Sequence, residues 1–187
     1  MLKKIILIPL ISLSFLFGME EANIKSEMES KIQTITTVLQ TKGLSSEAKK
    51  EQIAPTIDTI FDYQTMSKIS LGKKWKSLSS EEQERFTQKF ESKLKNSYFE
   101  KLELYTDQKV LVKEQEKVKS TRIQLHTEII GADETYEVIY KFYKVKASTD
   151  WRIYDVEITG VSIIQTYRKQ FSEFLKTKSF NELLESL

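Results

Sequence analysis

Apolar residues recur along this chain with two different periods, and the change falls near Tyr105. Before it the step is three or four residues, the spacing of a helix that buries one face. After it the step is two, the spacing of a strand. From Ile24 to Lys42 the apolar positions are Ile24, Met28, Ile32, Ile35 and Leu39, which predicts an amphipathic helix ended by Gly43. Ser45 or Ser46 can cap a second helix reaching about Phe61, with Pro55 as an expected kink or break. A short helical piece carries Tyr63, Met66 and Ile69 and stops at Gly72. The clearest helix follows. Ser79 and Glu82 stand at capping-box spacing, and Phe86, Phe90, Leu94, Tyr98, Leu102 and Tyr105 continue one stripe.

Beyond Tyr105 the alternation predicts four strands, over Lys109–Lys113, Lys117–Ile130, Glu134–Ala147 and Trp151–Thr159. Gly131-Ala132-Asp133 and Ser148-Thr149-Asp150 are turn chemistry at hairpin length, so the last three strands should form an antiparallel meander. In the third strand Tyr136, Val138, Tyr140 and Phe142 share one face, while Ile139, Tyr143 and Val145 mix with Glu137 and Lys141 on the other. One sheet face is therefore expected to be covered fully and the other in part. After Gly160, Ser162 and Gln165 stand at capping-box spacing before a helix with the stripe Ile163, Ile164, Tyr167, Phe171, Phe174 and Leu175. A last helical turn runs from Phe180 to Leu187. The order predicts an α+β fold, with helices packed on a curved four-stranded antiparallel sheet. Its large apolar side chains are ample to line a cavity as well as a core.

The first 18 residues break this pattern. Lys3 and Lys4 precede an apolar run from Ile5 to Phe17, the make-up of a secretory signal, and the run is too short to span a bilayer. Residues 1–18 are therefore expected to be a cleaved signal peptide, with 19–187 as a single domain. Cysteine is absent, so neither a disulfide nor a lipid anchor on cysteine can form. Removing Lys3 and Lys4 leaves 27 basic residues against 27 acidic, a neutral balance that argues against nucleic-acid binding.

Little catalytic chemistry is visible. The five glycines form no phosphate-cradling loop. His126 is the only histidine and reads as a surface or hydrogen-bonded strand residue. Asp155 and Glu157 leave one strand face together and could do acid–base work, though a solvated face opposed by lysine or arginine is the favoured explanation. Tyr154 and Asp155, as strand neighbours, should face opposite sides. Leu71-Gly72-Lys73-Lys74-Trp75-Lys76 is the densest basic cluster; its Trp75 is expected to pack under the next helix while the lysines face water. Arg168 could hold a phosphate or an ordinary surface ion pair.

Two stretches resemble a known family. Phe61 to Tyr98, with Phe61-Asp62, Met66, Leu71-Gly72, Trp75 and the capped helix with Phe86 and Phe90, is similar to the signature of the MlaC family of phospholipid carriers, also called toluene-tolerance proteins. Tyr154-Asp155-Val156, Gly160-Val161-Ser162, Tyr167-Arg168 and Phe171 resemble its second motif. One departure is that many members have a proline about where Thr59 stands, whereas this chain has Pro55. The resemblance implies a periplasmic carrier that shuttles glycerophospholipid between an outer-membrane lipoprotein–porin complex and an inner-membrane ABC transport complex, maintaining outer-membrane lipid asymmetry. It implies phospholipid as cargo, no cofactor, no metal and no enzymatic activity, and the neutral charge with the carrier role leans towards a monomer. Two acyl chains in open water cost on the order of 20 kcal/mol, so such a carrier must enclose them. The resemblance places the tails between sheet and helices, in an apolar cavity at the large end of the usual ~300–1,000 Å³. The expected lining is Phe86, Phe90, Leu94, Tyr98, Val138, Tyr140, Phe142, Val156, Ile158, Ile164 and Tyr167, with Arg168 at the mouth and Gly160 joining strand and helix as two walls. Two other readings stay open: a cone-shaped isomerase or hydratase using Asp155 or Glu157 on a small apolar substrate, and an envelope chaperone or adaptor with an exposed apolar groove.

Overall fold

The computed structural model describes residues 19–102 and 108–187; the expected signal peptide and the stripe position Tyr105 lie outside the described residues. Six α-helices are described: α1 (Ile24–Gln40), α2 (Ser46–Asp58), α3 (Tyr63–Leu71), α4 (Ser80–Leu102), α5 (Ile163–Phe174) and α6 (Phe180–Ser186). Their starts follow the caps in the sequence. Ser45 Oγ accepts from the Ala48 N–H at 3.2 Å, and Asp62 Oδ1 accepts from the Thr65 N–H at 2.8 Å. Ser79 and Glu82 close the expected box, with the Ser79 N–H donating to Glu82 Oε2 at 2.8 Å and the Glu82 N–H donating to Ser79 Oγ at 3.2 Å. Gly72 ends α3 with φ +57°, a backbone state that a side chain would strain. Pro55 does not end α2, which runs on to Asp58. It sits on the exposed face, where water can satisfy the carbonyl that loses its donor.

The sheet has five strands in sequential antiparallel order: β1 (Lys109–Lys119), β2 (Arg122–Ile130), β3 (Thr135–Lys144), β4 (Trp151–Ile158) and β5 (Val161–Ser162). This corrects the expected four. The boundary inside Lys117–Ile130 also moves, because Lys119 pairs with Arg122 across a tight turn at Ser120-Thr121 that carries no glycine or proline to mark it. The fifth strand is only two residues long and pairs Ile158 with Val161. Thr159 (φ +49°) and Gly160 (φ +78°) both take the left-handed region, which is the geometry of a two-residue hairpin. The sequence marks this turn with a single glycine, and Thr159 is a poor left-handed residue, so the hairpin reads as a simple strand end.

The buried residues form three clusters. One lies among the helices and contains Met66, Trp75, Phe86, Phe90, Ile164, Phe171, Phe180 and Leu183. A second covers the inner sheet face, where Ile123, Leu125, Val138, Phe142 and Ile153 meet Met19, Ile24 and Met28. The third, of Leu39, Ile53 and Phe99, joins α1, α2 and α4. Trp75 is buried in the first cluster, as its place before α4 suggested, and Lys73 and Lys76 are exposed.

The last helix is tied down electrostatically. The Ser179 N–H and hydroxyl donate to Glu182 Oε2 at 2.8 and 2.9 Å. These bonds, the backbone one foremost, and then Lys178, hold the Glu182 carboxyl down to about 2. A depressed carboxyl stabilises the fold above its unfolded value, near 4.5, and that contribution disappears as pH falls towards 2. Glu182→Gln is expected to flatten the acid limb of the stability profile, as read by thermal melts over roughly pH 2–5.

Candidate functional site

An apolar slot of about 280 Å³ opens where the three clusters meet. Its floor is the inner sheet face, with Val138, Tyr140, Val156 and Ile158 from β3 and β4 and Val110 and Ile129 from β1 and β2. Register explains this grouping. Tyr140 pairs with Val156 and Val138 with Ile158, so all four side chains leave one face. The outer wall is the α1–α2 hairpin, through Met28, Ile32, Ile35, Leu39, Ile53 and Ile57. The opposite wall is α4, through Leu94, Tyr98, Phe99 and Leu102, and Phe61, Tyr63 and Met66 close one end. The space is a partly open slot, smaller than the enclosed cavity expected from the sequence.

The twelve residues named from the sequence divide into groups. Leu94, Tyr98, Val138, Tyr140, Val156 and Ile158 line the slot. Phe86, Phe90, Ile164 and Tyr167 instead belong to the helical cluster, and Phe142 to the sheet cluster. The ring of Phe90 is fully buried and meets Tyr167 and Phe171 edge-on at 5.0 and 5.4 Å, with no face left for a ligand. From α5 the slot receives Ile163 alone, so the walls facing the sheet are α1, α2 and α4, not the helix after Gly160. Arg168 is away from the slot: its guanidinium lies across Gly72, where an added Cβ would come within 3.3 Å of Nε. The α1–α2 wall was missed. Its stripe from Ile24 to Leu39 was legible, but Ile32 and Ile35 are only half-buried, and that partial cover is a tertiary property.

The carboxylates considered for catalysis lie on the other face of the sheet. Asp155 is buried and accepts from the Ser162 hydroxyl at 2.7 Å and the Ile164 N–H at 3.1 Å. It thereby fixes the start of α5, and Ser162 Oγ in turn accepts from the Gln165 N–H at 3.1 Å. Lys141 bridges Glu157 at 2.5 Å and Asp155 at 3.6 Å. Burial pulls the Lys141 ammonium down, but the hydrogen bond to Glu157 and the Asp155 charge outweigh it and raise the pKa. Tyr154 does not alternate with Asp155, because a bulge pairs Lys141 with Asp155 and Phe142 with Ile153. Its ring meets Tyr143 edge-on, and Arg122 stacks over both. His126, on the same outer face, lies between Glu137 (3.4 Å) and Glu116 (3.7 Å). Asp155→Ala is expected to lower the unfolding free energy by about 2 kcal/mol, and Asp155→Asn by less, in urea titrations.

Burial, then Asp58 and Glu91, hold the Tyr63 phenol well above its usual range; burial, then Tyr167 and Asp155, do the same for Tyr98. Both rings therefore stay neutral. Among the described lining residues there is no carboxylate, and among the described residues no cluster of acidic side chains and histidine is placed to hold a metal. No described helix is long and apolar enough to cross a membrane.

Comparisons agree with this architecture. The chain is 25% identical over 120 residues to the intermembrane phospholipid transport system binding protein MlaC of Haemophilus influenzae, a match over 63% of this chain. The matched region spans 56% of that relative's length. The fold superposes on a phospholipid-binding protein of Ralstonia solanacearum, solved in complex with a phospholipid, with a TM-score of 0.73 at 18% identity. That likeness covers 86% of this chain and 92% of the other. The profile of the family described as MlaC protein matches residues 29–187. The chain belongs to the MlaC family.

Proposed function

We propose that this protein is a phospholipid carrier that holds acyl chains in the slot between its sheet and the α1, α2 and α4 walls. The observation that carries this reading is the slot itself, mostly apolar on its floor and both walls and bare of carboxylates among its described lining residues. Each buried CH2 is worth about 0.8 kcal/mol, so such a lining suits hydrocarbon far better than a polar substrate. A relative that is a phospholipid transport binding protein and a fold-mate that holds a phospholipid point the same way. The carrier works in the periplasm as residues 19–187 after loss of the signal peptide, and it exchanges lipid with outer- and inner-membrane complexes without a catalytic step.

The slot's size adds a requirement. At about 280 Å³ it is below the roughly 300–1,000 Å³ of common ligand pockets, so two tails enter only as the walls part. Mass spectrometry of the gently purified, exported chain tests the reading. A bound glycerophospholipid supports it. An empty chain that gains no phospholipid from vesicles overturns it, and a bound peptide favours the adaptor reading instead.

A further inference from the structure

Two stretches that pack together carry positive charge alone. Residues 63–80 contain Lys68, Lys73, Lys74 and Lys76 and no aspartate or glutamate. Residues 163–172, most of α5, contain Arg168 and Lys169 and again no acidic residue. Met66, Leu71 and Trp75 of the first share the helical cluster with Ile164 and Phe171 of the second. The Arg168 guanidinium lies across Gly72, at the end of α3. The Gly72 N–H donates to the Lys68 carbonyl at 3.2 Å, and the Lys76 N–H to the Lys73 carbonyl at 3.3 Å. The backbone thus gathers Lys68, Lys73, Lys76 and Arg168 around one corner, in a chain whose 29 basic and 27 acidic residues nearly balance.

The fold does not use these charges. All four residues are exposed, and their side chains make no ion pair or hydrogen bond among the described residues. Lys95, Lys141 and Lys176, by contrast, are each met by a carboxylate. Lys74 lies over the Phe180 ring. The acidic residues next along the chain are engaged or outside the corner. Asp62 accepts from Thr65 at the other end of α3, while Glu81 and Glu82 open α4, where Glu82 accepts from the Ser79 N–H.

The chemistry of the corner selects its partner. Its large apolar residues Leu71, Trp75 and Leu78 are buried, and the exposed ones, Val118, Tyr136 and Val161, stand on the sheet. Protein interfaces draw their energy from aromatic and arginine anchors and are poor in lysine. Lysine is a hydrated point charge on a flexible stem, which suits a surface whose charges have no fixed spacing. Arg168 adds a planar fork that can take one phosphate. We propose that this corner, centred on Gly72, rests on the head groups of an anionic membrane, attracted by charge and without insertion. The slot takes Tyr63 and Met66 from the start of α3, whereas the corner is at its end, so the contact is independent of what the slot holds.

The test sediments the exported chain with vesicles of phosphatidylglycerol mixed with phosphatidylcholine, and with phosphatidylcholine alone. Binding is expected to the first and not to the second, and it should vanish as salt shortens the screening length from about 10 Å at 0.1 M to about 3 Å at 1 M. Lys73→Gln combined with Lys76→Gln is expected to weaken it about 25-fold, roughly fivefold for each charge, with an unchanged melt. Lys25→Gln combined with Lys42→Gln removes as much charge from exposed positions at the two ends of α1 and should leave binding within about twofold. Equal binding to both kinds of vesicle, or an equal loss in the two double variants, overturns the proposal. So does failure to bind the anionic vesicles; retention on immobilised polyglutamate would then give the corner to an acidic protein.

Discussion

Phe90→Ala is expected to lower the free energy of unfolding by about 3–5 kcal/mol, the range for truncating a fully buried aromatic ring. Phe90 has no exposed surface, stacks on Phe86 at 5.5 Å and meets Tyr167 and Phe171 edge-on. Its neighbours come from α4 and α5, so the cavity left behind cannot close without moving both helices. The loss is a large share of the roughly 5–15 kcal/mol that stabilises a domain of this kind. Urea titration followed by far-ultraviolet circular dichroism measures it. The fraction that remains folded should carry lipid as the parent does, because Phe90 belongs to the helical cluster and not to the slot. Loss of lipid from folded Phe90→Ala would place a ligand against this ring after all.

Ile35→Glu is expected to do the reverse: to leave a folded chain and reduce co-purifying lipid at least tenfold. Ile35 lines the slot from the middle of α1 and is only half-buried, so glutamate there keeps helix propensity and can reach water when no ligand is bound. With tails in the slot the same carboxylate must lose hydration against hydrocarbon, a cost that an exposed ion pair to Lys31 one turn away offsets only in part. Lipid extraction and phosphorus assay of equal masses of parent and variant measure the effect, with a urea titration to show that the fold survives. Unchanged lipid content in Ile35→Glu would remove α1 from the ligand's surroundings.

These two residues also show what the sequence makes legible. The helices, their caps and the antiparallel sheet follow from local signals: Ser79 with Glu82, Gly72 after Leu71, and the two-residue alternation of Tyr136, Val138, Tyr140 and Phe142. The inner face of the sheet follows too, and with it Val138, Tyr140, Val156 and Ile158 in the slot. What the sequence does not carry is which of several apolar stripes is filled by other side chains and which is left open. Phe86 and Phe90 present the strongest stripe, and for that reason α5 and α6 cover it completely. Ile32 and Ile35 present a weaker one, covered only in part, and it lines the slot. The bulge at Tyr154 and the hairpin at Thr159-Gly160 are hidden for another reason: each shifts register through backbone geometry at a residue whose side chain does not require it.

The helix α2 contains a single fully buried residue, Ile53. Its remaining ties include polar bonds, among them Lys50 to Asn96, Lys49 to the Leu39 carbonyl and Asp58 to Lys95. Swinging this helix outward uncovers only the smallest of the three apolar clusters, and water replaces each polar tie as it breaks. Its amide protons should therefore trade with deuterium long before those of the sheet, through an excursion that leaves the rest of the molecule folded.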